Sequence, residues 1–127
     1  MASELRVNTL KDASGNNSIA TSFVAGGSAK AWAKSDFSTT MPDSFNVASL
    51  TDTGGGDNSI NYTSNMGNAN YSVSVMFEAS SGNDTNLNCC VKHSSQSTSA
   101  VGGQTGNVSG SLFDVTSLYF AVSGDLA

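Results

Sequence analysis

The chain is 127 residues long with a net charge of −5 and a predicted pI of 4.3; apolar residues make up 38 % of it and charged residues only 12 %. That length suits one domain, and so small a net charge does not oppose collapse, which excludes an extended, disordered chain. The five basic residues, Arg6, Lys11, Lys30, Lys34 and Lys92, are scattered, which excludes nucleic acid and an anionic membrane surface as partners.

Leu5, Val7 and Thr9 alternate with Arg6, Asn8 and Leu10 and predict a short extended segment, closed by the turn cluster Asp12–Asn17. Ile19, Thr21 and Phe23 alternate again before Ala25-Gly26-Gly27. Residues 1–27 are too sparse in apolar side chains to form a core. They read as a docking or trimerisation arm, with Leu5, Val7, Leu10, Ile19 and Phe23 as its docking residues, or as an edge hairpin of the same domain.

Residues 28–127 read as the main domain. Ala29, Ala31 and Ala33 alternate with Lys30, Trp32 and Lys34, so Trp32 shares a face with two lysines whose stems can lie along the indole with some cation–π attraction. Asp43–Leu50 is strand-like and pairs, through the Gly-rich turn Thr53–Asn58, with a run through Ile60 and Tyr62. The triple glycine is not a phosphate loop, because no Lys-Ser/Thr follows it. After the turn Asn65–Asn70, Tyr71, Val73, Val75 and Phe77 form the clearest core-facing strand side. Ser80–Asp84 predicts a loop, Leu87–Val91 a strand, and Ser94–Gly110 a mobile loop or weakly patterned hairpin. Phe113–Thr116 and Leu118–Val122 close the chain.

Ser, Thr, Asn and Gly together make up nearly half the residues and separate these alternating runs. Period-two alternation means strands with one buried and one wet face. A wet face of Ser, Thr and Asn instead of Lys and Glu suits a surface that persists outside a cell. The expectation is an all-β extracellular or virion module, a compact β-sandwich or jelly-roll-like domain. Its core is thin for a chain of this size, and association with further copies would bury more apolar area. No run approaches the roughly 18 apolar residues of a membrane span. Met1-Ala2-Ser3-Glu4-Leu5 shows neither the basic nor the apolar region of a signal peptide.

Candidate chemistry is sparse. Cys89 and Cys90 are adjacent, so on a strand they face opposite ways, and ordinary disulfide geometry does not join them. Cys90 and His93 offer half a metal site with no second half, so no metal and no cofactor are expected. His93 beside Ser94 and Ser95 is a surface-loop histidine, since proximity alone supplies no positioned triad. Asp36, Asp43, Asp52, Asp57, Glu78, Asp84, Asp114 and Asp125 read mostly as turn formers and not as a glycosidase pair. Gly56-Asp57-Asn58 is too little for a calcium loop. Five Asn-x-Ser/Thr sequons, Asn61 and Asn83 among them, are expected by chance in so Asn- and Ser-rich a chain. No catalytic residue is assigned. The aromatic residues Trp32, Tyr62 and Tyr119 are the best candidates for ligand contact by stacking on sugar rings, with Asn83, Asp84 and His93 as polar partners; packing is the alternative for each aromatic.

Gly27-Ser28-Ala29-Lys30-Ala31-Trp32 and Asp43-Ser44-Phe45-Asn46-Val47-Ala48-Ser49-Leu50-Thr51-Asp52 with its Gly-rich turn carry a resemblance. So do Ile60-Asn61-Tyr62-Thr63-Ser64-Asn65-Met66, Asn68-Ala69-Asn70-Tyr71 and the closing Ala121–Ala127. Together they resemble a recurrent β-rich module of virion appendage proteins of tailed phages, notably marine and cyanobacterial ones. Glu4–Asn16 looks like the leader that often precedes it, Lys34–Pro42 departs from the usual polar-glycine stretch, and residues 80–110 match least. The resemblance implies a homotrimeric appendage on the virion surface, tail or capsid exterior, with no catalytic residues. The first reading is a non-enzymatic tail-fibre or receptor-binding component whose loop tips around Ser80–Gly110 touch host-surface polysaccharide, several copies adding avidity. The alternative is a capsid decoration or cement protein whose arm grips the major capsid protein. A depolymerase is the weaker third.

Overall fold

A computed structural model describes residues 3, 5–38, 40–79 and 86–127. In chain order the elements are β1 (Thr9–Lys11), β2 (Ser18–Ala20), α1 (Thr21–Gly27), β3 (Ala29–Ser35), β4 (Asp43–Phe45), β5 (Val47–Gly54), β6 (Asp57–Tyr62), β7 (Ser72–Glu78), β8 (Leu87–Val91), β9 (Ala100–Asn107) and β10 (Ser117–Ser123). Strands β3 to β10 form a sandwich of two four-stranded antiparallel sheets. The first has the order β4-β3-β10-β7 and the second β5-β6-β9-β8. The all-β sandwich that the alternating runs predict is the fold of the chain. The hairpin β1–β2 and the helix α1 precede it.

The core follows from the alternation. Ala31 and Ala33 of β3, Leu118, Phe120 and Val122 of β10, and Tyr71 with Val73, Val75 and Phe77 of β7 face inward from the first sheet. Ile60, Tyr62 and Val101 meet them from the second. Each large side chain buried here stabilises the fold by about 1.5–3 kcal/mol. Adjacent Cys89 and Cys90 face opposite ways, as strand geometry demands: Cys89 is half-buried, Cys90 is exposed, and both are free. The Cys89 thiol lies 3.2 Å from the Val75 carbonyl, and burial, with Cys90 beside it, pushes its pKa up.

Three expectations need correction. Of the two alternatives for Ser94–Gly110 the mobile loop is wrong and the hairpin is nearer: the stretch contains β9, an interior strand of the second sheet that pairs with β8 and whose Val101, Gly102, Gly103, Thr105 and Gly106 are buried. Bulk for this stretch comes from the opposite sheet. A Cβ on Gly103 would lie 2.9 Å from Leu118 Cδ2 and 3.0 Å from the Phe120 ring. The strand read over Asp43–Leu50 is two strands in two sheets. Asn46, at φ 55°, turns the chain between them. Its side chain fixes the corner by donating to the Lys30 and Ser64 carbonyls, at 2.9 and 3.1 Å, and accepting from Ser64 N–H at 2.7 Å. The alternation Ile19-Thr21-Phe23 is strand only through Ala20. Thr21 N–H bonds the Asn8 carbonyl, the Thr21 hydroxyl reaches the Val7 carbonyl, and the chain then turns into α1. The closing strand, β10, covers the Leu118–Val122 run with one residue more at each end.

The turn at Asp12 is as expected. Its carboxylate accepts from the Ser14 hydroxyl, the Asn16 N–H and the Asn17 amide, and the Ser14 bond above all holds its pKa below the usual carboxylate value. Gly56 closes the β5–β6 hairpin at φ 72°, where its Cβ would lie 2.3 Å from the Thr105 carbonyl oxygen. The Gly56 N–H donates to Asp114 at 2.6 Å, tying this hairpin to the segment before β10. Three polar residues are carried at a cost: Asp57 Oδ1, the Asn58 side-chain amide and the Tyr62 hydroxyl are buried without a hydrogen-bond partner among the described residues.

Candidate functional site

The outer face of the first sheet collects the candidate contact residues. Odd and even positions of β3 part company at the sheet: the small alanines go in, while Lys30, Trp32 and Lys34 go out. The register then sets large apolar side chains beside Trp32 and Lys34. Trp32 lies opposite Phe45 of β4 on one side and Ala121 of β10 on the other. Lys34 lies opposite Tyr119, which lies opposite Met76 of β7. Phe45 is 53 % exposed, Met76 66 %, Trp32 39 % and Tyr119 37 %. Four large apolar side chains thus stand on one pleated face with more than a third of each open to solvent.

A polar device borders them. The Tyr119 hydroxyl donates to Glu78 Oε2 at 2.9 Å, Lys34 Nζ pairs with the same oxygen at 3.5 Å, and Lys34 Nζ stands 5.4 Å from the centre of the Tyr119 ring. The Tyr119 hydroxyl, with Ser117 and Lys34, holds the Glu78 carboxyl below its ordinary range, and the same tyrosine, with Glu78, raises the Lys34 pKa. The cation–π partner is therefore Tyr119 and not Trp32, since the cross-strand register sets Lys34 directly against Tyr119. Lys30, the other lysine of this face, turns back to the Ala25 and Ser28 carbonyls and the Ser28 hydroxyl.

The structure brings together two of the sequence-named contact residues, Trp32 and Tyr119, and sets Tyr62 and His93 apart from them. Tyr62 is a correction. It is buried edge-on against Tyr71, with ring centres 6.0 Å apart, and desolvation drives its pKa upward, so no sugar ring reaches it. His93 is exposed in the β8–β9 connection with Ser94 Oγ 3.0 Å from its Nδ1. Asn83 and Asp84 lie outside the described residues. Among the described residues no three His, Cys, Asp or Glu side chains gather as a metal site, and no helix is long and apolar enough to cross a membrane.

Phe45 and Met76 were the contact residues the sequence reading passed over. Met76 carried a signal, since it stands where the alternation Ser72, Ser74, Glu78 calls for a polar residue, whereas Phe45 falls in step with Val47 and carried none.

The five candidate docking residues of the N-terminal segment, Leu5, Val7, Leu10, Ile19 and Phe23, are all exposed, Leu5 at 82 % and Phe23 at 73 %. Helix α1 buries no residue at all. An open cleft of about 270 Å³ between β1 and β2 is lined by Leu10, Asp12, Asn17 and Ile19.

No family model, curated protein or solved structure matches the chain.

Proposed function

We propose that the chain is a non-enzymatic, homotrimeric structural module of a phage virion's exterior, of the tail-fibre type. The observation that carries this reading is apolar surface left uncovered in two separate places, the outer face of the first sheet and the N-terminal segment. Monomeric soluble proteins rarely leave such patches open unless something is meant to bind there. A sandwich with Ser, Thr and Asn on its remaining surface suits a protein that persists in the extracellular medium, and the resemblance to phage appendage modules supplies the setting. Capsid decoration remains the companion reading, with the same assembly on the head instead of the tail.

Cryo-electron microscopy of the intact particle tests this. Density for the sandwich at the tail periphery is expected. Density over the icosahedral shell would transfer the module to decoration, and absence from the particle would overturn the proposal.

A second reading of the same face is contact with host-surface polysaccharide. The Lys34–Tyr119–Glu78 array beside Trp32 favours it, because an aromatic surface with a charged donor and acceptor at its border is what sugar rings and hydroxyls need. The loop tips first expected to serve this role are reduced by the burial of residues 101–103 and 105–106 in β9.

A further inference from the structure

We propose that the N-terminal segment of one copy, residues 5–24, lies across the outer face of the first sheet of a neighbouring copy, covering Trp32, Phe45, Met76 and Tyr119. This rests on the homo-oligomeric reading above and names the contact that builds the oligomer.

Area decides what covers the face. Aromatic and other large side chains bury on the order of 150–250 Å² each, so the four exposed residues offer roughly 400 Å². A specific interface takes roughly 800 Å² from each partner. Two such faces pressed together therefore fall well short. Leu5, Val7, Leu10, Ile19, Phe23 and Val24 together offer roughly 500 Å² more. Each arm-on-face contact buries roughly 400–500 Å² a side, but a copy that gives its arm to one neighbour and its face to another buries roughly 900 Å² over its two contacts, whereas a face-to-face pair buries roughly 400 Å² per copy and leaves both arms open.

The join between arm and sandwich favours a neighbour over the chain's own face. A single residue, Ser28, separates α1 from β3, and its N–H bonds the Val24 carbonyl. Lys30 Nζ grips the Ala25 carbonyl, the Ser28 carbonyl and the Ser28 hydroxyl across the same join. With α1 held at this short exit, the arm's apolar side chains stay exposed and off the sandwich to which they are tethered. An arm-to-face contact joins two different surfaces, so it is heterologous and closes into a ring if the rotation permits. That is the symmetry a trimer requires.

Trp32 is the single tryptophan and reports on its own cover. The test uses the full chain, Phe23→Asp as the arm variant and Phe45→Lys as the face variant; both side chains are exposed, so the sandwich should fold in each. The wild type should assemble as concentration rises, with Trp32 emission moving to the blue and iodide quenching falling. Each variant alone should dissociate at a concentration about a hundredfold higher or more, from the loss of one buried aromatic side chain. Mixing the two should restore a complex, because an intact arm meets an intact face. Assembly that survives Phe23→Asp, or a mixture that stays dissociated, would overturn the arm contact and leave the oligomer standing. A wild type monomeric at every concentration, with Trp32 answering only to added polysaccharide, would overturn both and leave the sugar-contact reading.

Discussion

The two sheets share one core and differ on their outer faces. The first shows Phe45, Trp32, Tyr119 and Met76 in two adjoining cross-strand rows. The second shows Ser49, Asn61 and Ala100 in one row, Thr51, Ser59 and Gly102 in the next, and Asp57, Gln104 and Cys90 beyond. There many polar side chains satisfy one another, although Asp57 Oδ1 has no partner among the described residues. The Asn61 amide donates to the Ser49 and Thr51 hydroxyls at 3.1 and 3.0 Å, and Ser95 bonds both the N–H and the carbonyl of Gly102. A face whose polar groups are already paired has little to gain from a partner. A face of open aromatic carbon gains free energy when water leaves it.

Substitutions that probe this contrast should divide cleanly, with the largest stability losses far from the aromatic face. Gly56→Ala should cost about 3 kcal/mol or more, because a left-handed backbone gains a Cβ that strikes the Thr105 carbonyl. A fall in the urea midpoint at unchanged slope would record it. Lys92→Met should cost about 1–2 kcal/mol, since it strands the nearly buried Asp57, whose Oδ2 pairs with Lys92. Asp57→Asn in the same chain should recover part of that loss in a double-mutant cycle.

On the first sheet the order reverses. Trp32→Ser should cost about 1–2 kcal/mol of stability, less than Gly56→Ala, because the indole is 39 % exposed, while it removes assembly. A Trp32→Ser chain that loses its fold would place that side chain in the core's service instead of a partner's.

The smallest effect is a titration. The Glu78 pKa is held down in the folded state, so the stability it contributes is present above its ordinary value of 4.5 and is lost as pH falls through the lower folded value. Tyr119→Phe removes the largest cause. The Glu78 carboxyl should then titrate closer to 4.5, which carbon-detected NMR of the side chain would follow.

What the sequence disclosed and what it hid divide along the same line. Strands β3, β7 and β10 are legible because large or aliphatic residues alternate with polar or basic ones, as in Tyr71-Ser72-Val73-Ser74-Val75. Strand β9 is hidden because Gly102, Gly103 and Gly106 carry no bulk to alternate; Leu118 and Phe120 lend it from the other sheet. Trp32 and Tyr119 stand out singly in the sequence. Their meeting with Phe45 and Met76 depends on the order β4-β3-β10-β7, which joins segments from nearly the whole domain and which no local pattern specifies. The break at Asn46 is equally silent, since one left-handed residue moves Phe45 and Val47 into different sheets.

Sedimentation equilibrium of the unmodified chain over a wide concentration range tests the central claim most directly. A mass rising from 12.9 kDa to three times that value, with Trp32 shielded in step, is the result predicted. A mass fixed at 12.9 kDa, with Trp32 open to quencher throughout, would contradict it.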